Sequence, residues 1–292
     1  MKIYFKTNKI LHSIPRKFYA DWIKPLFPDL RHNIYGIKKK DLILSSNPKK
    51  ADILILPLTW NYYFQYGKTN EAYETIKFYE MLNKPIITWV TGDYKHKIMD
   101  GDFIILQHNL HKSKRKNNEY AYPAIIRDPF DYLNFYGVNI ASSFKKTRIS
   151  FCGAANWTLL DKCESLFKDF FFRIKNKAFM PYLDLRFPVS GMSLRGKLLK
   201  SFNENKNFDT HIIIRKRRDS ILSNKEKYKF EYWNNILLAP FTICVRGNGN
   251  FSVRFYETLA LGRIPILIDT DCVLPFDNEI NWHKHCIIIK DT

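Results

Sequence analysis

The chain is short of the residues that staple or interrupt a fold. Its five cysteines, Cys152, Cys163, Cys244, Cys272 and Cys286, are an odd number without a CxxC pair. That argues against a disulfide or zinc framework and for thiols kept in a reducing compartment. Glycine and proline are scarce, at 11 and 13 of 292 residues, and no low-complexity tract or internal repeat is present, so linker-like and solenoid designs find no support. No apolar run reaches the roughly 18–20 residues that a membrane span needs. The opening stretch, MKIYFKTNKILHSIPRKFY, lacks the unbroken apolar core of a secretion signal. A cytoplasmic protein is therefore expected. Acid is the remaining shortage, with 28 Asp and Glu against 47 Lys and Arg, a formal net charge of +19.

That excess of positive charge has three readings. Nucleic-acid phosphates would be attracted to it without sequence specificity. An anionic membrane surface or a lipid-phosphate acceptor would be attracted by the same Coulomb force. The third reading is a biased composition, because Lys, Asn and Ile are all abundant and the charge is spread along the chain rather than gathered in one arm. The denser clusters are KKK at 38–40, KSKRK at 112–116 and RKRR at 215–218.

What the chain does have is core-forming material, 46% hydrophobic and 16% aromatic, in a length that suits two domains. Apolar runs bounded by turn residues read as strands: KIYF near the start, ADILILP (51–57), PIITWV (85–90) and DFIILQ (102–107). Between them NEAYETIKFYEMLN (70–83) has helical spacing and ends shortly before Pro85. Order weakens from about 108 to 146, and a fresh series then begins. RISFCG (148–153), HIIIR (211–215), FTICV (241–245), IPILID (264–269) and CIIIK (286–290) read as strands. WTLLDKCESLFKDFFFRI (157–174), KEKYKFEYWNNILLA (225–239) and SVRFYETLAL (252–261) read as helices, the first with a wide apolar face. Alternating strands and helices imply parallel sheets. The expected architecture is α/β, two Rossmann-like domains over residues 1–145 and 146–292, with ligands held beyond the carboxyl ends of the strands.

The most informative turn follows FTICV. Arg246, Gly247, Asn248, Gly249, Asn250, Phe251 and Ser252 lead into the helix that Gly262 closes. Glycine allows close approach of backbone to a ligand, Ser252 suits an N-cap, and a helix N-terminus is a ready anion site. Arg246 and Arg254 add forked donors suited to phosphate. The spacing is GxGxxS, with Ser where a dinucleotide fingerprint has its third glycine, and it falls late in the chain, which speaks against a nicotinamide cofactor. A plain βα turn with Arg254 and Glu257 as a surface pair is the competing reading.

The longer stretch FTICVRGNGNFSVRFYETLALGRIPILIDTDCVLPF, with Ile280 and Trp282 beyond it, resembles the C-terminal half of the exostosin-family glycosyltransferases. In that family a Phe-x-x-Cys-x-Arg-Gly stretch precedes a glycine and a serine, an Arg-Phe-x-Glu-x-Leu helix, a glycine, Ile-Pro, and an acidic turn closing in Leu-Pro-Phe. The matching residues here are Phe241, Cys244, Arg246, Gly247, Gly249, Ser252, Arg254, Phe255, Glu257, Leu259, Gly262, Ile264, Pro265, Asp271, Leu274, Pro275 and Phe276. Weaker echoes lie in ADILILPL, PIITWVTGD and RISFCG, so the resemblance is specific over residues 236–285. It implies the two-Rossmann, GT-B type of fold with a central cleft. It also implies transfer of a sugar from a nucleotide diphosphate sugar, of UDP or GDP type, to a glycan or lipid-linked glycan. Such transfer is usually inverting and needs no metal, cofactor or nucleic acid. The chain stops at Thr292, short of helices that family members carry beyond this region.

On that resemblance the donor would lie against Gly153, Arg215, Arg246, Gly247, Gly249, Ser252, Arg254, Glu257 and Asp271, with Glu257 on the ribose. An inverting transfer needs a base for the acceptor hydroxyl, and Asp93, His12 and His96 are the candidates from the N-terminal domain. The pairs His108/His111 and His283/His285 have ligand-like spacing without further ligands in sequence. Two other classes stay open: a basic nucleic-acid-binding protein, and a nucleotide-binding module without transferase activity.

Overall fold

The computed structural model describes residues 1–6, 13–26, 42–130, 133, 147–184, 190–215 and 225–291. The chain divides into two compact units. One comprises Met1–Ile125 with Tyr182–Asp184, and the other Ile126–Pro181 with Leu185–Thr292. The boundary expected at 145/146 falls among residues outside this description.

The first unit contains β1 (Lys2–Tyr4), β2 (Ile43–Leu44), β3 (Ile53–Ile55), α1 (Trp60–Gln65), α2 (Thr69–Glu80), β4 (Ile86–Val90), β5 (Lys95–His96), β6 (Ile104–Gln107) and β7 (Glu119–Ala121). Six of these strands form a parallel sheet in the order β2-β1-β3-β4-β6-β7. The apolar run of β4 is buried along its whole length, as a central parallel strand covered on both faces must be. The expected helix over 70–83 stops at Glu80 because Asn83 takes a left-handed φ of 48° ahead of Pro85. Trp60 and Trp89 are fully buried at the centre of this core. Trp60 Nε1 donates to Thr88 Oγ1 at 3.0 Å, and Thr88 Oγ1 donates onward to Ile104 O at 3.0 Å, so the indole N–H is satisfied inside the core.

The second unit contains β8 (Arg148–Ala154) and α3 (Leu159–Phe179). The short β9 (Leu183–Asp184) then returns to pair antiparallel with β5 within the first unit. α4 (Gly191–Glu204), β10 (Asp209–Arg215), α5 (Lys225–Leu237), β11 (Phe241–Cys244), α6 (Val253–Ala260), β12 (Ile264–Asp269) and β13 (Ile287–Lys290) complete it. Its five-stranded parallel sheet runs β10-β8-β11-β12-β13. Gly262 closes α6 with φ +64°, the conformation expected of its C-terminal stop. Both sheets share the order second-first-third-fourth, the doubly wound pattern of a Rossmann-like unit. Two such α/β units are the GT-B type expected from the sequence.

Candidate functional site

In a sheet of this order the chain leaves the first strand in one direction and the third in the other, and ligands bind where those paths part. In the second unit that place lies beyond the carboxyl ends of β8 and β11. Helix α4 is set down on it at backbone distance. A Cβ on Gly191 would lie 2.1 Å from Gly247 O, and one on Gly196 would lie 1.9 Å from Asn156 O. Only glycine permits either approach. Ser190 caps the helix by accepting from Ser193 N at 3.2 Å, and Asn156 ties its first turn through Nδ2 to Ser193 Oγ at 2.8 Å. Asn156 begins an Asn-Trp-Thr sequon, but at 1% exposure it is a packing residue.

This placement delivers Arg195, a residue the motif reading did not single out. It is half-buried and donates to Ala154 O at 3.3 Å, the last carbonyl of β8, and to Val245 O at 3.2 Å, just past β11. Arg254 reaches the same corner from α6. Its Nη2 donates to Cys152 O at 2.7 Å, and its guanidinium lies 4.2 Å from the Phe151 ring centroid and 5.6 Å from that of Tyr232. Arg246, 5% exposed, donates to Gly247 O at 3.1 Å. Three guanidinium groups therefore crowd one switch point. Burial, with the positive charges of Arg254 and Arg246, pulls the Arg195 pKa down to about 10. Burial likewise lowers Arg246 to about 10, opposed by Asp291 and Asp169. For Arg254 burial also opposes the charge, but Tyr232, Cys244, Glu257 and Cys152 together hold it above the ordinary arginine value. All three remain cations at neutral pH, and together they concentrate positive potential at this corner.

The other residues singled out on the donor side fall around this corner in different ways. The space a Cβ would take at Gly153 lies 2.7 Å from Arg254 Nη2, so the missing side chain makes room for that guanidinium. Gly247 and Gly249 have no positive φ, and Arg195 Nη2 lies 3.8 Å from where a Gly247 side chain would begin. Ser252 stands at the N-cap of α6 without a side-chain cap bond. Glu257 accepts the Tyr232 hydroxyl, and burial raises its pKa against the pull of Tyr232 and Arg254. Asp271 sits in the turn after β12 with φ 67°, and that turn is tied to the glycine loop by Thr270 Oγ1 donating to Asn250 Oδ1 at 2.6 Å. Arg215 is drawn toward α5, where it pairs with Glu231, donates to Tyr228 O at 3.0 Å and lies over the Tyr228 ring at 4.8 Å.

In the first unit Asp93 follows β4 in a half-buried loop, where its backbone carbonyl accepts from Asn109 Nδ2 at 2.8 Å. His96 is 5% exposed, with its ring 5.3 Å from Phe64 and 5.5 Å from Tyr182. Burial lowers its pKa to about 4. His12 lies outside the described residues. His108 Nδ1 meets Tyr122 O at 3.0 Å. The switch point of this sheet, beyond β1 and β3, opens into a cavity of about 290 Å³ lined in part by Lys6, Pro57, Leu58, Tyr62, Tyr63 and Glu71.

Against known proteins, residues 169–292 match the exostosin GT47 domain. The chain is 37% identical over 70 residues to an exostosin-1 homolog of Caenorhabditis elegans, covering 23% of this chain and 18% of that protein. It is 31% identical over 91 residues to exostosin-1 of Bos taurus, covering 31% of this chain and 12% of the relative. It is 32% identical over 60 residues to a probable glucuronosyltransferase, GUT1, of Oryza sativa subsp. japonica, covering 20% and 14%. The aligned stretches span less than a fifth of these relatives.

Proposed function

We propose that this chain, whose residues 169–292 match the exostosin GT47 domain, is a glycosyltransferase that takes its sugar from a nucleotide diphosphate donor. The supporting observation is the convergence of Arg195, Arg246 and Arg254 on the switch point of the second sheet. In the reaction an acceptor oxygen bonds to the anomeric carbon, the bond from that carbon to the β-phosphate oxygen breaks, and the nucleoside diphosphate leaves with the electron pair. Charge grows on the β-phosphate, and preorganised cations there stabilise the transition state most. The three guanidinium groups supply that potential without a metal. Glu257, fixed by Tyr232, is the acceptor for ribose hydroxyls.

The finer reading is inversion, with the acceptor, a glycan or lipid-linked glycan, held by the first unit at the cavity beyond β1 and β3. A base takes the acceptor proton. Asp93 is the choice over His96, because a buried imidazole packed against the stacked Phe64 and Tyr182 rings has little room for an acceptor. A cytoplasmic setting completes the proposal.

The test is a thermal-shift panel with UDP, GDP, CMP and ADP and their sugar conjugates. A ligand that binds only the folded chain raises its melting temperature by mass action. UDP-glucuronate belongs in the panel because a relative is named a probable glucuronosyltransferase. One nucleotide diphosphate should stabilise the chain, and Arg246→Ala should abolish the shift. Stabilisation by none of them, or an undiminished shift in Arg246→Ala, overturns the reading. Asp93→Asn should reduce kcat and leave donor affinity unchanged.

A further inference from the structure

An amphipathic helix ordinarily turns its apolar stripe toward the core. α3 does the opposite. The side chains that approach the rest of its unit are polar. Asn176 is buried at 6% exposure, Asp161 and Asp169 are half-buried, and Ser165 Oγ lies 3.0 Å from Ser190 Oγ. Six of the apolar side chains point away. Leu160, Leu166, Phe167, Phe170, Phe171 and Ile174 are between 53% and 82% exposed. At 100° per residue these six cover an arc of about 140° on one side of the helix. The Thr158 hydroxyl and Asp161 carboxylate form a capping box, so the first turn is fixed.

The borders of the stripe say what covers it. Lys168 and Lys175 fall along one edge, and Lys162 and Arg173 along the other. The helix as a whole carries five basic residues against three acidic ones. A second copy of the chain, related by a two-fold axis, would set these basic edges against themselves. An anionic lipid surface would instead take the hydrocarbon stripe into its acyl boundary and meet the Lys and Arg edges with phosphates. The net charge of +19 acts in the same direction at longer range. Eight charged residues in 21 also prevent this helix from crossing the bilayer, and among the described residues no helix is long and apolar enough to do so.

We propose that α3 is a membrane-surface anchor that lies in the plane of an anionic bilayer, with Phe167, Phe170 and Phe171 inserted. The inference is independent of the donor site. Cys163 lies on the same face and is exposed, while the other four cysteines are buried. An environment-sensitive maleimide fluorophore therefore reports on this face in the full chain. Mixed with phosphatidylcholine–phosphatidylglycerol vesicles, the labelled protein should brighten and shift to the blue, and nitroxide-bearing lipids should quench it. Vesicles of phosphatidylcholine alone should give a much smaller change. Substituting Phe167, Phe170 and Phe171 together by Ser should lower partitioning about tenfold or more, with circular dichroism and melting temperature unchanged because all three rings are exposed. Lys168→Glu with Lys175→Glu should weaken binding and flatten its salt dependence. No fluorescence change on the mixed vesicles, or partitioning that survives the triple substitution, overturns the proposal. So does a dimer in solution that the triple substitution converts to monomer without any vesicle binding, which would make the face a self-interface.

Discussion

The two sheets of this protein share one strand order, and their switch points carry different chemistry. Beyond β1 and β3 the first unit presents two lysines, Lys6 and Lys68, offset by Glu71 and Glu74, among Pro57, Leu58 and two tyrosines. Beyond β8 and β11 the second presents three guanidinium groups, Arg195 and Arg254 anchored on carbonyls of or just past those strands and Arg246 on the Gly247 carbonyl of the loop. Topology makes the crevice in both cases, and the side chains that reach it decide what it holds. A diphosphate requires fixed positive potential. A sugar surface, with hydroxyls and apolar ring faces, suits a mixed wall of aromatic and polar groups. The difference turns on how closely a neighbouring helix approaches, since Arg195 reaches its corner only because Gly191 and Gly196 bring α4 to backbone distance.

The largest expected effect tests whether the two corners are separable. Trp60→Ala removes the fully buried indole at the centre of the first core and should cost about 3–5 kcal/mol. Denaturant unfolding followed by fluorescence measures that cost. At temperatures where the variant remains folded, the nucleotide-induced stabilisation assigned to the second unit should persist. Its loss would mean that the proposed donor corner depends on the first core. A cost of about 3 kcal/mol attends the second prediction, on His96. Its pKa falls from 6.5 to about 4 because burial disfavours the imidazolium, and that difference corresponds to about 3 kcal/mol. A lowered folded pKa gives stability that is complete above pH 6.5 and lost as pH falls toward 4. His96→Phe, packed against Phe64 and Tyr182, should remove most of the pH dependence in that window. An unchanged acid limb would move the titration to another group.

Much of this frame was legible in the sequence, and the limits have physical causes. β4, β6, β8, β11 and β12 stood out because strands buried in parallel sheets read as continuous apolar runs. α4 did not, although Leu194, Leu198 and Phe202 have helical spacing and Ser190 precedes them. Two glycines diluted its pattern, and those same glycines permit its close approach. Arg195 was invisible for a related reason. It belongs to no linear motif, and its role appears only when two loops distant in sequence meet one helix. Arg215 illustrates the reverse. Its position at the end of β10 matched the rule for strand-end ligands, yet its Nη2 is engaged with Tyr228 and Glu231. The apolar face of α3 was plain in sequence, but its outward direction was not, because periodicity gives the width of a stripe and never its heading.

The arginine corner of the second unit can be sharpened by two substitutions of smaller effect. Arg254→Lys keeps the charge and loses the planar fork, and should weaken nucleotide diphosphate binding about tenfold. Gly153→Ala places a methyl group 2.7 Å from Arg254 Nη2, the far end of a flexible side chain. Because Nη2 is buried and held on Cys152 O, its displacement should lower the melting temperature and weaken the same ligand to a similar degree, as read by calorimetric titration. Together the two variants should be little worse than either alone, because both act through one guanidinium. Full additivity would give Gly153 a contact with the ligand of its own.

The smallest effect concerns Glu257, where the sign of a pH dependence separates two electrostatic pictures. Burial raises its pKa above the ordinary glutamate value of 4.5, while the Tyr232 hydroxyl and the Arg254 charge pull it back. A raised folded pKa means that the folded chain holds its proton more tightly than the unfolded one. The stability this adds is present below the unfolded pKa and declines as pH rises through the folded value. Glu257→Gln keeps an acceptor for Tyr232 and removes the titration. Over the range just above pH 4.5, wild-type stability should then fall with rising pH relative to that of the variant. The same substitution should weaken a nucleoside diphosphate while leaving inorganic pyrophosphate untouched, since only the former carries ribose hydroxyls. Parallel stability profiles would mean that Arg254 already offsets the burial of the carboxylate. The charge of the corner would then be less positive than three guanidinium groups suggest, and phosphate affinity would rest on Arg195 and Arg246.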